Sequence, residues 1–492
     1  MHLKHVAPAV LTAAALTLPA AASAGVANGQ IEPATTGPSS SQAPYIVPTQ
    51  KHVGVTSVLS VGDTVTTPAG APYRMAGIAD GLGAFDNADG TFTLLMNHEL
   101  PSAAGAVRAH GATGAFVSKW TIAKDDLRVL HGEDLIRRIA TWNPATGAYD
   151  APATGIALNR LCSADLAAPT AYYNPTTGLG YDGRLFTNGE ESSGGRAFAH
   201  AMDGTSYELP ALGKTAFENV VANPAAGDST VVVATDDSTP GQVYVFHGRK
   251  RSAGSPVERA GLDQGALYGI KVPGMSDEST GDFVASGRFQ LARVGDGDAR
   301  DMSGTELEAA SDAAGVTRFW RPEDASWDPT NPHVLYVTTT ASFTAPSRLW
   351  KLTFDDPADP AKGGTIEAVL DGTEGQHMLD NLTVDGRGRV LAQEDPGNHP
   401  YLAKIRKYFP QQDRLTTVAE HDPARFAPGA PGFLTQDEES SGIVDVRAIL
   451  GEGWFLGDVQ AHYPLSGELV EGGQLFALYV PPAQTFGTAQ SR

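Results

Sequence analysis

The sequence predicts an all-β fold, a β-propeller of about six blades with long loop insertions. Three stretches of the chain repeat one another: Glu218-Asn219-Val220-Val221-Ala222-Asn223-Pro224, Glu323-Asp324-Ala325-Ser326-Trp327-Asp328-Pro329 and Asp380-Asn381-Leu382-Thr383-Val384-Asp385-Gly386. Each opens on an acid five residues ahead of an Asn or Asp turn, and a second apolar strand follows at once, at 229–234, 333–338 and 389–393. Long amphipathic helical patterns are scarce, whereas 55 Gly and 33 Pro mark many turns. Self-similarity at intervals of tens of residues, made of hairpin units, is the signature of radial or stacked repeats.

Six places show a polar turn, an apolar strand and a polar end. Thr91–Met96 ends in Asn97-His98-Glu99, and Arg184–Thr187 leads to Glu190-Glu191. Val231–Thr235 ends in Asp236-Asp237, and the fourth strand ends in Thr338-Thr339-Thr340. Val390–Gln393 ends in Glu394-Asp395, and Trp454–Val459 ends in Gln460-Ala461-His462. About six blades leave ~70 residues for each, more than four strands require, so the excess falls in insertions at 100–150, 248–320 and 396–430. The expected division is a signal peptide at 1–24, a leader or linker at 25–51, the propeller at 52–483 and a tail at 484–492.

In a propeller the innermost strand of a blade starts at one mouth of the central channel and the next strand returns to it. The acid that opens each repeat and the polar end of its partner strand are therefore expected on one rim. Glu218, Glu323, Asp380 and Glu439 take the first position in this reading, and Glu191, Asp237 and His462 the second. Crowded carboxylates raise one another's pKa unless a cation neutralises them, so the expectation is a metal site.

The chain carries 56 acids against 35 bases, a formal charge of -21. That balance argues against nucleic acid, whose binding needs Lys and Arg to displace counterions. It suits cation binding, and equally plain solubility. Lys4, the apolar run Val6–Leu18 and Ala22-Ser23-Ala24 read as a Sec-type signal peptide with cleavage near Gly25, which places the protein in the periplasm or outside the cell. No later segment approaches the ~20 apolar residues of a membrane span. The single cysteine, Cys162, has no partner for an internal disulfide, so it is either a small apolar core residue or a thiol kept for chemistry.

Several constellations carry chemistry. In Asn97-His98-Glu99 alternation sends Asn97 and Glu99 to one side. Glu190-Glu191-Ser192-Ser193-Gly194 and Glu438-Glu439-Ser440-Ser441-Gly442 are near copies, and oxygen-rich sites of this kind suit calcium. Arg321-Pro322-Glu323 sets a guanidinium, whose fork matches phosphate oxygens, two residues from a repeat acid; pairing with Glu323 is the plainer reading. A Cys162 thiolate among hard oxygens would favour a transition metal. Gln460 and His462 are open to metal, substrate or structural roles. The nucleophile elbow, the zinc-protease helix motif, the P-loop and the dinucleotide-binding glycines are absent.

Taken in order, these motifs resemble the PhoX-type alkaline phosphatases, a secreted bacterial propeller family, from about residue 90 to 463. The likeness rests on Asn97-His98-Glu99, Cys162 followed by Glu190-Glu191, and Leu212-Gly213-Lys214-Thr215-Ala216-Phe217-Glu218. It continues through Val231–Asp237, Tyr244-Val245-Phe246, Gly265-Ala266-Leu267-Tyr268, Arg321-Pro322-Glu323, Asp380-Asn381-Leu382, Glu439 and Gln460-Ala461-His462. The resemblance implies a calcium- and iron-dependent phosphomonoesterase acting on a small phosphoester. It implies Cys162 and Glu218 as iron (Fe³⁺) ligands, and Glu191, Glu323 and Glu439 as carboxylate ligands of an iron–calcium cluster. Asp237, Asp380 and Asn381 are further metal candidates, and Arg321 would bind phosphoryl oxygens. Asn97, Glu99 and His462 are expected near the substrate, and Arg321, Glu323 and Cys162 at the catalytic centre, with Cys162 holding metal instead of acting as a nucleophile. The chain is expected to act as a monomer. It departs from the family at Lys4 and His5, where the family has twin arginines, at Phe217, where it has His, and after Cys162, where a Gly-rich stretch is missing; a diverged branch would look this way. Two other readings fit rim acids: a calcium-stiffened binding module without catalysis, and a calcium-dependent propeller esterase or lactonase.

Overall fold

The computed structural model describes residues 31, 33–279 and 281–482; the expected signal peptide and tail lie outside them. Six strands form the wall of a central channel: Ala79–Asp86, Leu161–Asp165, Phe217–Ala222, Pro322–Trp327, Leu379–Val384 and Glu438–Asp445. Each touches the next in chain order and the last touches the first, so the ring closes with six blades. The repeats at 218, 323 and 380 are the inner strands of the third, fourth and fifth blades.

Each inner strand pairs antiparallel with the next long strand of its blade: Thr91–His98, Leu185–Glu190 (after the short hairpin Tyr173–Asn174 and Leu179–Gly180), Ser229–Asp236, Val334–Thr340, Val390–Glu394 and Trp454–Pro464 in turn. These strands are Val-, Leu- and Thr-rich and buried on both faces, as sheets packed between two neighbours must be. The apolar layers between blades are the core. One holds Ala199, Phe217, Val220, Val232 and Phe246 between the second and third blades. Another packs Val233, Val245, Trp327, Val337 and Trp350 between the third and fourth.

The ends of the chain close the ring. The sixth blade takes Gly54–Ser60 from the N-terminal side as the strand outside Glu471–Tyr479. Residues of the expected leader segment also pair: Thr35–Thr36 runs parallel to Gly54–Ser60, and Ile46–Pro48 edges the fifth blade on Arg414–His421. The third and fourth blades are fused into one nine-stranded sheet by Ser286–Arg293, which pairs with Gly265–Lys271 and Gly364–Leu370. The insertion at 248–320 also holds the helix Gly304–Ala314, begun by a Ser303/Glu306 capping box and ended at Gly315 in the left-handed conformation.

Candidate metal centre

All six inner strands carry the same irregularity at the same place. In the second blade Leu161 pairs with Glu190 but Ala164 with Asn188, so three steps on one strand answer two on the other. The same one-residue bulge falls between Ala79 and Leu82, Phe217 and Val220, Pro322 and Ala325, Leu379 and Leu382, and Ser440 and Ile443. A bulge breaks the two-residue alternation of a strand and re-aims side chains. The first residue inside each bulge is Asp80, Cys162, Glu218, Glu323, Asp380 and Ser441 in turn. The second is Gly81, Ser163, Asn219, Asp324, Asn381 and Gly442.

The partner strand adds a further position. Just beyond the last paired residue, the N–H of Glu99, Glu191, Asp237, Thr340 and Asp395 donates to the carbonyl of Ile78, Arg160, Ala216, Arg321 and Met378, at 2.8–3.1 Å. In the sixth blade Gln460 pairs with Glu439 at that level. Four of the residues ahead of the bulge, Ile78, Arg160, Arg321 and Met378, have φ between 43° and 50°, a conformation that L residues adopt at a cost of about 1–3 kcal/mol and that collects at functional sites.

These positions converge at one mouth. Four sets of ligand-type atoms lie within 4.8 Å of one another: Asp80, Glu99 and Cys162; Cys162, Glu191 and Glu218; Glu218, Glu323 and Asp380; Asp380, Asp395 and Glu439. Shared members link the sets into one chain of nine residues, six from the six inner strands and three from the ends of partner strands. Buried acids in this crowd cannot all be ionised. Burial, then neighbouring carboxylates, push Asp80, Glu218, Glu323 and Asp380 well above the usual range. Burial and Glu99 raise Glu191 to about 8; burial and Glu439 raise Asp395 to about 8. Burial and Asp80 raise the Cys162 thiol, whose Sγ lies 3.4 Å from Asp80 Oδ2. Glu99 and Glu191 crowd the same Arg160 nitrogen, Asp395 and Glu439 bring oxygens within 4.8 Å of each other, and Glu191 and Asp237 are electrostatic neighbours. Such crowding calls for protons or cations among the oxygens.

Two guanidinia cross this ring. Arg321 grips Asp237 through Nε and an Nη at 2.8 and 2.9 Å and lies 3.2 Å from Glu323. Arg160 reaches Glu99 at 2.6 Å and also pairs with Glu191. Buried oxygens still lack a hydrogen bond: Oε1 of Glu99 and Oε1 of Glu323 meet an arginine at ion-pair distance without one. Such oxygens are suited to a cation, so the donor set fits metal ions.

Several expected roles need correction. Glu439 does not open an inner strand as Glu218 does; it stands two residues before Ser441, the register equivalent, and accepts a hydrogen bond from the Ser441 hydroxyl. It still enters the ring, from the position that Arg160 and Arg321 hold elsewhere. His462 is two residues beyond the equivalent position, which belongs to Gln460. His462 pairs instead with Glu471 at 2.7 Å and Glu439 at 3.8 Å, and these carboxylates outweigh burial to raise it to about 11. Asn97 faces inward, its Nδ2 on the Cys162 carbonyl and its Oδ1 accepting from Asn188, so it positions the Cys162 bulge. Asn381 sits one step below the ring and donates to Ser163 Oγ across the channel.

That step forms a floor. Ser163 also donates to Glu218, Asn219 donates to Asp324, and Asp324 accepts the Leu382 N–H. Below it a cavity of about 270 Å³ opens toward the opposite mouth, lined by Leu82, Asp165, Val221, Trp327 and Ile443 among others. The paired acids divide labour. Glu190 is held by Arg196, and Glu394 by Arg406, Tyr401 and two backbone amides, while their neighbours Glu191 and Asp395 face the ring.

Asp80, Asp395, Arg160 and the register role of Gln460 were not singled out from sequence. Asp80 stands six residues before its Asn87-bearing turn at Asp86, one more than in the repeats at 218, 323 and 380, so a strict five-residue spacing passes over it. Arg160 precedes Cys162 by two residues as Arg321 precedes Glu323, a spacing visible in the sequence.

A family model described as Alkaline phosphatase PhoX matches residues 199–364. Among solved structures, Pseudomonas fluorescens PhoX in complex with vanadate, a transition-state analogue, aligns with TM-score 0.64 at 12% identity, covering 90% of this chain and 97% of that one. The chain resembles the PhoX alkaline phosphatases. No curated protein matches it. A Dyadobacter fermentans protein of unknown function aligns at TM-score 0.37 and 10% identity over 87% of this chain and 99% of its own. A Trypanosoma rangeli sialidase aligns at 0.34 and 11% over 85% and 58%; neither likeness approaches that to PhoX.

Proposed function

We propose that the chain is a secreted, metal-dependent phosphatase that hydrolyses small phosphate monoesters at the ringed mouth of the channel. The observation that carries this reading is the convergence of Asp80, Glu99, Cys162, Glu191, Glu218, Glu323, Asp380, Asp395 and Glu439, with Arg321 among them, in a chain whose likeness is to PhoX. Cys162 and Glu218 supply the mixed sulfur and oxygen donors that suit iron. The sets Glu218–Glu323–Asp380 and Asp380–Asp395–Glu439 are all oxygen and suit calcium. Bound cations would supply charge neutralisation for the ester oxygens.

The protein's own residues do the rest. Arg321 is held by Asp237 and Glu323 with its fork at the mouth, placed to bind phosphoryl oxygens on which charge gathers during transfer. The floor of Ser163, Asn219, Asp324 and Asn381 closes the channel beneath the site and fixes the bulges that aim the ring. The buried line from His200 through Asn188 and Asn97 to the Cys162 carbonyl holds the thiol in place.

Hydrolysis of p-nitrophenyl phosphate by protein loaded with calcium and iron tests the reading, with Arg321→Ala and Cys162→Ala beside the wild type. Turnover in the wild type, lost in both variants while the circular dichroism spectrum is kept, supports it. A metal-replete wild type inactive on a panel of phosphomonoesters contradicts it. Activity on carboxylic esters alone would turn the reading to an esterase, and calcium binding with no turnover to a binding module.

A further inference from the structure

Resting on the phosphatase reading, we infer that Arg160 is a second phosphoryl-binding arm, the structural counterpart of Arg321, so that one phosphomonoester dianion is held between two guanidinia. The two arginines occupy the same register, immediately before the bulge of the second and fourth blades. Their φ angles are 46° and 47°. The carbonyl of each accepts the N–H at the end of its partner strand, from Glu191 and Thr340. Each guanidinium bridges one acid of its own blade and one of the blade before: Arg160 joins Glu191 to Glu99, and Arg321 joins Glu323 to Asp237.

The backbone conformation does not by itself select arginine. Ile78 and Met378 take it in the first and fifth blades, at φ 50° and 43°. What sets the second and fourth blades apart is the planar fork. Arg160 pairs with Glu191 and Arg321 with Asp237, and these two acids are electrostatic neighbours, so both arms serve adjoining places on the rim. The Arg160 side chain is 42% exposed and that of Arg321 27%, so both present donors to the mouth while their acid partners are no more than 15% exposed. A phosphomonoester dianion has three non-bridging oxygens. One bidentate fork takes two of them, and a second fork is matched to what remains. A diester, with two such oxygens and one charge, gains less from the second arm.

The test is calorimetric titration of inorganic phosphate into metal-replete wild type, Arg160→Gln, Arg160→Lys and Arg321→Gln, with metal content measured on each sample. Arg160→Gln is expected to keep its metals and weaken phosphate binding by about tenfold or more, the scale of a lost charge-assisted contact. KM should rise more for a monoester than for a diester. Affinity within twofold of wild type, with metals kept, overturns the inference. If Arg160→Gln loses metal, Arg160→Lys decides, since it keeps the charge beside Glu99 and Glu191 but not the fork. Weakened phosphate binding with metal retained supports the second arm; full affinity, or loss of metal here too, overturns it. Weakened binding in Arg321→Gln alone removes Arg160 and leaves the phosphatase reading standing, whereas a wild type that binds no phosphate removes both.

Discussion

At the scale of single residues, the site is held from behind by uncharged polar groups. His200 is buried, its Nδ1 2.6 Å from the Ser206 hydroxyl and its Nε2 2.8 Å from Asn188 Oδ1. Asn188 gives its amide N–H to Asn97, so its Oδ1 accepts from His200 Nε2–H, and in the neutral ring Nδ1 accepts from the Ser206 hydroxyl. Burial pulls its pKa down to about 3. The sign follows from linkage. An unfolded histidine takes up its proton near pH 6.5 and the folded one resists until about 3, so the native state loses stability as pH falls across that window. The slope approaches about 1.4 kcal/mol per pH unit from this one group. Urea unfolding of wild type and His200→Gln between pH 7 and pH 4 checks this. The wild type is expected to lose more stability on acidification than the variant, which has nothing to titrate there; parallel curves would show that His200 is charged, or free to charge, in the fold.

At the scale of the element, the unit that builds the site is the bulged inner strand. It delivers one side chain to the ring and the next to the floor, and it demands small residues where blades crowd. A Cβ on Gly81 would stand 2.3 Å from the Ala164 nitrogen of the next inner strand, and one on Gly442 2.7 Å from the Asp80 carbonyl oxygen. Gly81→Ala is therefore expected to cost about 1–3 kcal/mol by overpacking and to lower metal content by moving Asp80 and Cys162 apart; thermal melting and elemental analysis read the two effects. The repeats at Glu218, Glu323 and Asp380 were legible because each strand keeps one length from acid to turn. Asp80 was hidden by one extra residue, while Cys162, not being an acid, was reached as a lone thiol and through the family resemblance and not through the repeat. The bulge itself leaves no mark in composition, since it is a register shift between two strands. For that reason Glu439 and His462 each stand two residues from the register positions expected of them, and Asn97, expected near the substrate, donates to the Cys162 carbonyl. The six-blade ring needed only the spacing of hairpins and was legible as such.

At the scale of the whole molecule, six blades are locked by pairing Gly54–Ser60 against Glu471–Tyr479, and that closure is opposed by an acidic ring that repels itself when empty of cations. A ligand that binds only the folded state stabilises it by mass action, about 2.7 kcal/mol at one site when present at a hundred times its Kd. Chelation is expected to lower the melting temperature and calcium to restore it, measured by calorimetry in matched ionic strength; magnesium, which prefers a smaller octahedral cage, should restore it less. A melting temperature indifferent to chelator would mean that protons and the two arginines alone balance the ring. The claim beneath all of this is that side chains from separate blades share cations at one channel mouth. Anomalous X-ray diffraction from crystals grown with calcium and iron tests it most directly. The account predicts an iron peak beside Cys162 and Glu218 and further cation density between Glu323, Asp380, Asp395 and Glu439. A mouth filled only by water, with the carboxyl groups still crowded together and no anomalous signal, would contradict it.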